Sequence, residues 1–352
     1  MNTKLKPHKA ADRIYLFDNV KWLAIVMVVV GHAIGFLTEA SKGNQLEKNL
    51  FVIIYSVHMP LFIFISGLFI KPMDKDTKIP KDKIIAFIAI GIVLRAFTAI
   101  LRILLGKHDY FYSVMDMYDS YTWFMGAIAV MIFLTWLFRA YSPKIVFPVV
   151  LLVGCMAGYD KFLGDQFSLM RIVVFFPVFL IGYYLTPEQI LKLNSNKWLK
   201  IAAVLVIVGF VTLCLMNKDF GATFRPLFTG RNRFTVLKKD QYPFGAFYRL
   251  ASYGISALMG LSVMCLVPNK SLGYITKMGA KTLQIYFWHR MIIMIMEHFK
   301  LYDMIQSRTG STIATAVYIL IAVGVAFICS VPPLSFPAKQ LLGIGKRAQK
   351  QS

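Results

Sequence analysis

The chain has 352 residues, of which 57% are apolar and only 16% charged. An ordinary soluble domain is about 45–50% apolar and about 25% charged, so the composition excludes a cytosolic enzyme, a disordered chain and a secreted mini-protein. Lys and Arg number 39 against 17 Asp and Glu, a net charge of +22. In a hydrophobic chain this excess first indicates orientation, because basic residues collect on the cytoplasmic side of a membrane. It does not require nucleic acid.

Apolar runs alternate with polar breaks along the whole chain, which predicts an all-α integral membrane protein. Ten helices are expected, at 18–38, 50–70, 84–104, 120–138, 145–159, 171–186, 200–216, 249–267, 282–297 and 312–331. The fifth and sixth are short for a full span, which requires about 20 residues. They are read as tilted or partly re-entrant, and the weakest boundary is 159–170. This divides the chain into a basic tail (1–17), a membrane domain (18–331) with a long outer loop (217–248), and a second basic tail (332–352). Ten spans put both termini on one side. That side carries 21 Lys and Arg, the other 14, and four fall inside spans. The positive-inside rule makes the richer side cytoplasmic. The outer exception is 217–249, with Arg225, Arg231, Arg233, Lys238 and Lys239. It faces either an anionic glycan or lipid headgroup, or simply solvent above anionic lipid. No cleavable signal peptide is visible. Cys155, Cys214, Cys265 and Cys329 lie in apolar runs without metal spacing, so neither a disulfide framework nor a metal site is expected.

Ionisable groups within spans cost about 2.5–3.5 kcal/mol each on insertion scales, so they are functional candidates. The first helix holds Asp18, Lys21 and His32. Lys21 and His32 are eleven residues apart, about three turns, and so share a face about 16 Å long. His58, in the second helix, falls at a similar depth to His32, and neighbouring helices joined by a short loop usually pack together. Two imidazoles in one cavity suit proton transfer near neutral pH. The structural alternatives are a helix-helix hydrogen bond for either His, a snorkelling Lys21 and an N-capping Asp18. His289 and Arg290 form a third polar site, open to catalytic, donor-binding or structural roles. Tyr121 with Trp123, and Phe175 with Phe176, are read as packing or interface aromatics.

The segments YLFDNVKWLAIVMVVVGH (Tyr15–His32) and YSVHMPLFIFISGLF (Tyr55–Phe69) resemble the opening of the membrane-bound acyltransferase family 3, in its fucose 4-O-acetylase-like branch. YTWFMGAIAV from Tyr121, RIVVFFPVFLIGYYL from Arg171 and KTLQIYFWH from Lys281 to His289 follow in the family's order. The likeness covers residues 13–331. It implies ten helices and transfer of an acyl group, commonly acetyl, from cytoplasmic acyl-CoA to a hydroxyl of a glycan or lipid-linked sugar, as in capsule or exopolysaccharide modification. Acetyl-CoA is then a co-substrate and no cofactor is permanently bound. The family's pattern of a basic residue, ten intervening residues and an essential His maps onto Lys21 and His32, with Lys in place of Arg. Its Arg-x-x-Arg element is missing, and Lys78 and Lys81 have that spacing.

On this reading the nucleotide phosphates sit among Lys21, Lys78, Lys81 and Lys83, with Asp18 orienting Lys21. His32 acts as general base or brief acyl carrier, and His58 assists. Arg171 is either an acceptor contact or an interfacial anchor. The alternatives are a secondary transporter or glycan exporter, which would also place charges at mid-membrane but commonly shows two related halves, and a membrane scaffold without chemistry.

Overall fold

The computed structural model describes residues 13–39, 44–106, 122–164, 166–341 and 343. Tyr121, residues 107–120 and the outer parts of both basic tails lie outside the described residues. Every expected helix is present: α1 (Tyr15–Glu39), α2 (Gln45–Leu68), α3 (Lys81–Leu104), α4 (Trp123–Phe138), α5 (Pro143–Met156), α6 (Leu169–Tyr184), α8 (Lys197–Met216), α10 (Gly245–Leu266), α12 (Thr282–His298) and α14 (Ser311–Cys329). Four more lie in segments read as loops: α7 (Pro187–Ser195), α9 (Lys218–Phe228), α11 (Tyr274–Gly279) and α13 (Leu301–Thr309).

Among the described residues, six helices are long and apolar enough to cross a membrane: α1, α2, α3, α8, α10 and α14. A seventh candidate is the pair α6 and α7, bent by 85° at its break. Thr186 caps α7 with a reciprocal Gln189 contact and Pro187 follows at its first turn, which fixes the restart after the bend. The other expected spans are shorter: α4 has 16 residues, α5 has 14 and α12 has 17. At about 1.5 Å per residue none reaches the about 30 Å hydrocarbon thickness on its own. Between α5 and α6 the chain makes two 3-10 turns, Ala157–Tyr159 and Gln166–Ser168, so the weakest boundary in the sequence is an irregular segment in the fold.

α2 is central, packed against α6 on one side and α1 on the other. At the α2–α6 crossing, a Cβ on Gly67 would meet the Phe179 carbonyl, and one on Gly182 the Phe64 carbonyl. Small residues allow this backbone contact where no hydrophobic effect drives helix association. The base of α1 is pinned by Asn19. Its amide donates to the Pro268 and Lys270 carbonyls at 2.9 Å each and its oxygen accepts from the Thr276 hydroxyl at 2.7 Å. Gly279 of α11 lies directly against the Asp18 backbone. α12 is tied to the segment after α14: Gln284 donates to the Cys329 and Val331 carbonyls, and Trp288 to those of Leu334 and Phe336. These anchors set α1, α2 and α12 side by side.

Candidate active site

A cavity of about 230 Å³ lies between α1, α2, α3, α4 and α12. Lys21 lines one end, and Ile25 and Val28 continue the same face of α1. Met59, Phe62, Ile65 and Ser66 come from α2, Phe87 from α3, Phe124 and Met125 from α4, and Leu283 and Tyr286 from α12. The walls are thus mostly apolar, with a single cation at one end.

The sequence places Asp18 one turn from Lys21, and the structure joins them. The Lys21 ammonium is 2.9 Å from an Asp18 oxygen, and the Arg13 guanidinium donates to the other at 2.6 Å. The Asp18 carboxylate is only 11% exposed, whereas the Lys21 side chain is 26% exposed. Lys83 stands one turn before the cavity residue Phe87. Lys78 and Lys81 are exposed and do not line the cavity. Their loop is held from below: Trp136 donates to the Thr77 carbonyl, Arg139 to that of Lys75, and the Met73 N–H to the Tyr183 hydroxyl. The Asp74 carboxyl closes the turn by accepting from the Thr77 hydroxyl at 2.6 Å, and this bond holds it below the usual carboxylate range.

His32 lies one turn beyond Val28 and is half-buried. The sequence places His58 at its depth, and the structure also brings the His289 ring beside it, tilted, at 5.4 Å between centroids. Both buried histidines are held alike. His58 Nδ1 is 2.7 Å from the Ile54 carbonyl, and His289 Nδ1 is 3.0 and 2.8 Å from the carbonyls of Ile285 and Tyr286. A carbonyl can only accept, so each Nδ1 carries the proton and each Nε2 keeps its lone pair. The Nε2 of His289 has no hydrogen-bond partner among the described residues. Two preset basic nitrogens on α2 and α12 therefore accompany His32.

Arg171 is buried rather than an interfacial anchor, with 5% exposure. Its guanidinium lies 4.9 Å over the Trp123 ring, which stacks on Phe175. This cation–π contact holds the guanidinium in place. Tyr286 lies between the cavity and the imidazoles, 5.7 Å from Phe124 and 5.8 Å from His289 by ring centroids. Tyr286 falls within the KTLQIYFWH segment, where sequence alone assigns it no role. Glu297, an acidic group within the same span, grips Arg290 at 2.6 Å in a pair whose side chains are under 10% exposed. Its signal was available: opposite charges seven residues apart on one helix share a face.

The basic segment 217–249 is partly bonded to the bundle. Arg225 donates to the Thr38 hydroxyl at 2.8 Å and lies over Phe51, while Arg233 donates to the Leu163 carbonyl. Lys238 pairs with Asp219 at the surface, where both are exposed.

The acyltransferase domain of family 3 matches residues 14–331. The chain is similar to the nodulation protein NolL of Sinorhizobium fredii (strain NBRC 101917 / NGR234), 24% identical over 228 residues. That alignment covers 60% of this chain and 59% of the relative, so the chain spans about six-tenths of its length. No solved structure matches. These likenesses leave the transporter and scaffold readings without support.

Proposed function

The chain belongs to acyltransferase family 3, and from that premise we propose a membrane-bound O-acyltransferase. It moves an acyl group, with acetyl the family's commonest, from cytoplasmic acyl-CoA to a sugar hydroxyl of a cell-surface or exported glycan. The protein sits in the cell membrane with ten membrane-embedded helices, two of the four that fall short of an ordinary span (α4 and α12) lining the cavity, and with both termini in the cytoplasm.

One observation carries the reading: the apolar cavity that begins at Lys21 and ends at Tyr286, beside His289 and one turn short of His32. The helix rise from Lys21 to His32, about 16 Å, is on the order of an extended pantetheine arm. Lys21 and Lys83, with Lys78 and Lys81 from the adjoining loop, would meet the nucleotide phosphates. The thioester would then lie among His32, His58 and His289. An imidazole takes the proton of the acceptor hydroxyl as its oxygen attacks the thioester carbonyl. Collapse of the tetrahedral oxyanion expels the thiolate, which receives that proton. Acyl-CoA and alcohol thus become ester and free CoA. A brief acyl-His32 intermediate reaches the same products in two transfers. Arg290 and Arg171 supply positive charge where the oxyanion develops.

The test uses purified protein in detergent with radiolabelled acetyl-CoA and candidate glycans. His32→Ala is expected to abolish transfer and thioester hydrolysis with the fold retained. Unchanged turnover in that variant refutes the mechanism.

A further inference from the structure

The Arg290–Glu297 pair is costly to bury, and its position is informative. Both nitrogens of the Arg290 fork point at Glu297: Nη1 donates to Oε1 at 2.6 Å and Nη2 to Oε2 at 3.3 Å. Both side chains are under 10% exposed. They lie two turns apart on α12, so one rigid helix fixes their separation. Arg290 directly follows His289, whose ring is 5.4 Å from His32.

Stability alone does not account for such a pair. A buried ion pair is often no more stabilising than apolar residues of the same volume, while removal of one partner leaves an expensive charge. A guanidinium has five donors and a long flexible stem, and without a clamp it would sample many positions. Electrostatic catalysis needs the opposite, a cation held in place before charge develops.

We propose that Glu297 is a positioning residue that holds Arg290 as the fixed cation of the His32–His289 centre. The inference rests on the acyltransferase reading. In the step described above, Arg290 would stabilise the oxyanion formed as the acceptor oxygen adds to the thioester carbonyl. Glu297 touches neither substrate. It offsets the guanidinium charge in the resting protein and keeps the fork from turning away.

Full-length protein in detergent separates this role from a structural one. Acetyl-CoA turnover is measured for wild type, Glu297→Gln, Glu297→Asp and the double variant Arg290→Met/Glu297→Met, with thermal unfolding of each. Glu297→Gln is expected to lower kcat at least thirtyfold, with KM for acetyl-CoA within threefold of wild type. Glu297→Asp should recover most of the loss. The double variant removes both charges together. If the pair serves positioning, it unfolds near the wild-type temperature yet stays as slow as Glu297→Gln. A double variant that regains wild-type kcat overturns the proposal in favour of charge balance alone. So does a Glu297→Gln variant with unchanged kcat, or one whose KM rises as much as kcat falls. A wild-type protein that turns over no acyl-CoA thioester overturns the underlying acyltransferase reading, and this proposal with it.

Discussion

Replacing Lys21 by Ala tests the donor end of the site. The ammonium is 2.9 Å from Asp18, and Asp18 is also held by Arg13 at 2.6 Å. With 26% of its side chain exposed, Lys21 is anchored on one side and open to the cavity on the other. A hydrogen bond to a charged group contributes about 1.5–3 kcal/mol, and about 1.4 kcal/mol is tenfold in affinity. Loss of one phosphate contact therefore weakens acetyl-CoA binding about ten- to hundredfold. The substitution also leaves Asp18 paired with Arg13 alone. The mouth becomes more negative towards a polyanionic donor, which moves the expectation to the upper part of that range. Lys21→Arg keeps the charge and should bind within about threefold of wild type. The assay is acetyl-CoA binding to purified protein, first near 0.15 M salt and then at 1 M, where the Debye length falls to about 3 Å and the difference should shrink. Lys21→Ala that unfolds normally and binds acetyl-CoA within twofold of wild type refutes the phosphate role.

Two further predictions concern packing around the cavity. Gly182→Ala drives a methyl into the Phe64 backbone carbonyl, and overpacking against a rigid neighbour costs about 1–3 kcal/mol. It should lower the thermal midpoint in detergent, while Gly209→Ala, which meets open space on α8, should not. Equal midpoints would show that the α2–α6 contact relaxes freely. Val28→Phe projects a ring into the donor cavity below His32. It should raise KM for acetyl-CoA at least tenfold, whereas Val208→Phe on the exposed face of α8 should leave it unchanged. An unaffected KM in Val28→Phe would mean that the acyl arm takes another route.

The helices were legible because long apolar runs leave little choice in a bilayer, where every backbone polar group must be satisfied within the segment. The candidate site was half legible. Periodicity on α1 correctly puts Lys21 and His32 on one face, and Asp18 meets Lys21 as a neighbour one turn away should. Periodicity does not say which helix that face meets. His58 was the nearest imidazole along the chain, but His289, 257 positions from His32, supplies the adjacent ring. That choice depends on how α12 is tied to the segment after α14 by Gln284 and Trp288, which no local pattern carries. Arg171, which its place at the start of a helix left between an acceptor contact and an interfacial anchor, is buried with its guanidinium over the Trp123 ring.

The basic residues show how far position decides the role of a charge. On the 217–249 segment three arginines are bonded to the bundle, whereas Lys218, Lys238 and Lys239 are exposed. Arg225 reaches Thr38 and Arg233 reaches the Leu163 carbonyl, while the fully buried Arg249 donates to the carbonyls of Leu227 and Asn232. An arginine fork can satisfy several carbonyls at once, so these cations fasten α9 and its neighbours to the bundle. Lys71, Lys75 and Lys78, on a loop braced by Trp136, Arg139 and Tyr183, and Lys81 and Lys83 at the start of α3 are all exposed. Exposed lysines are strongly hydrated point charges suited to steering a polyanion. On the acyltransferase proposal, this cluster of exposed lysines suits a donor rich in phosphate.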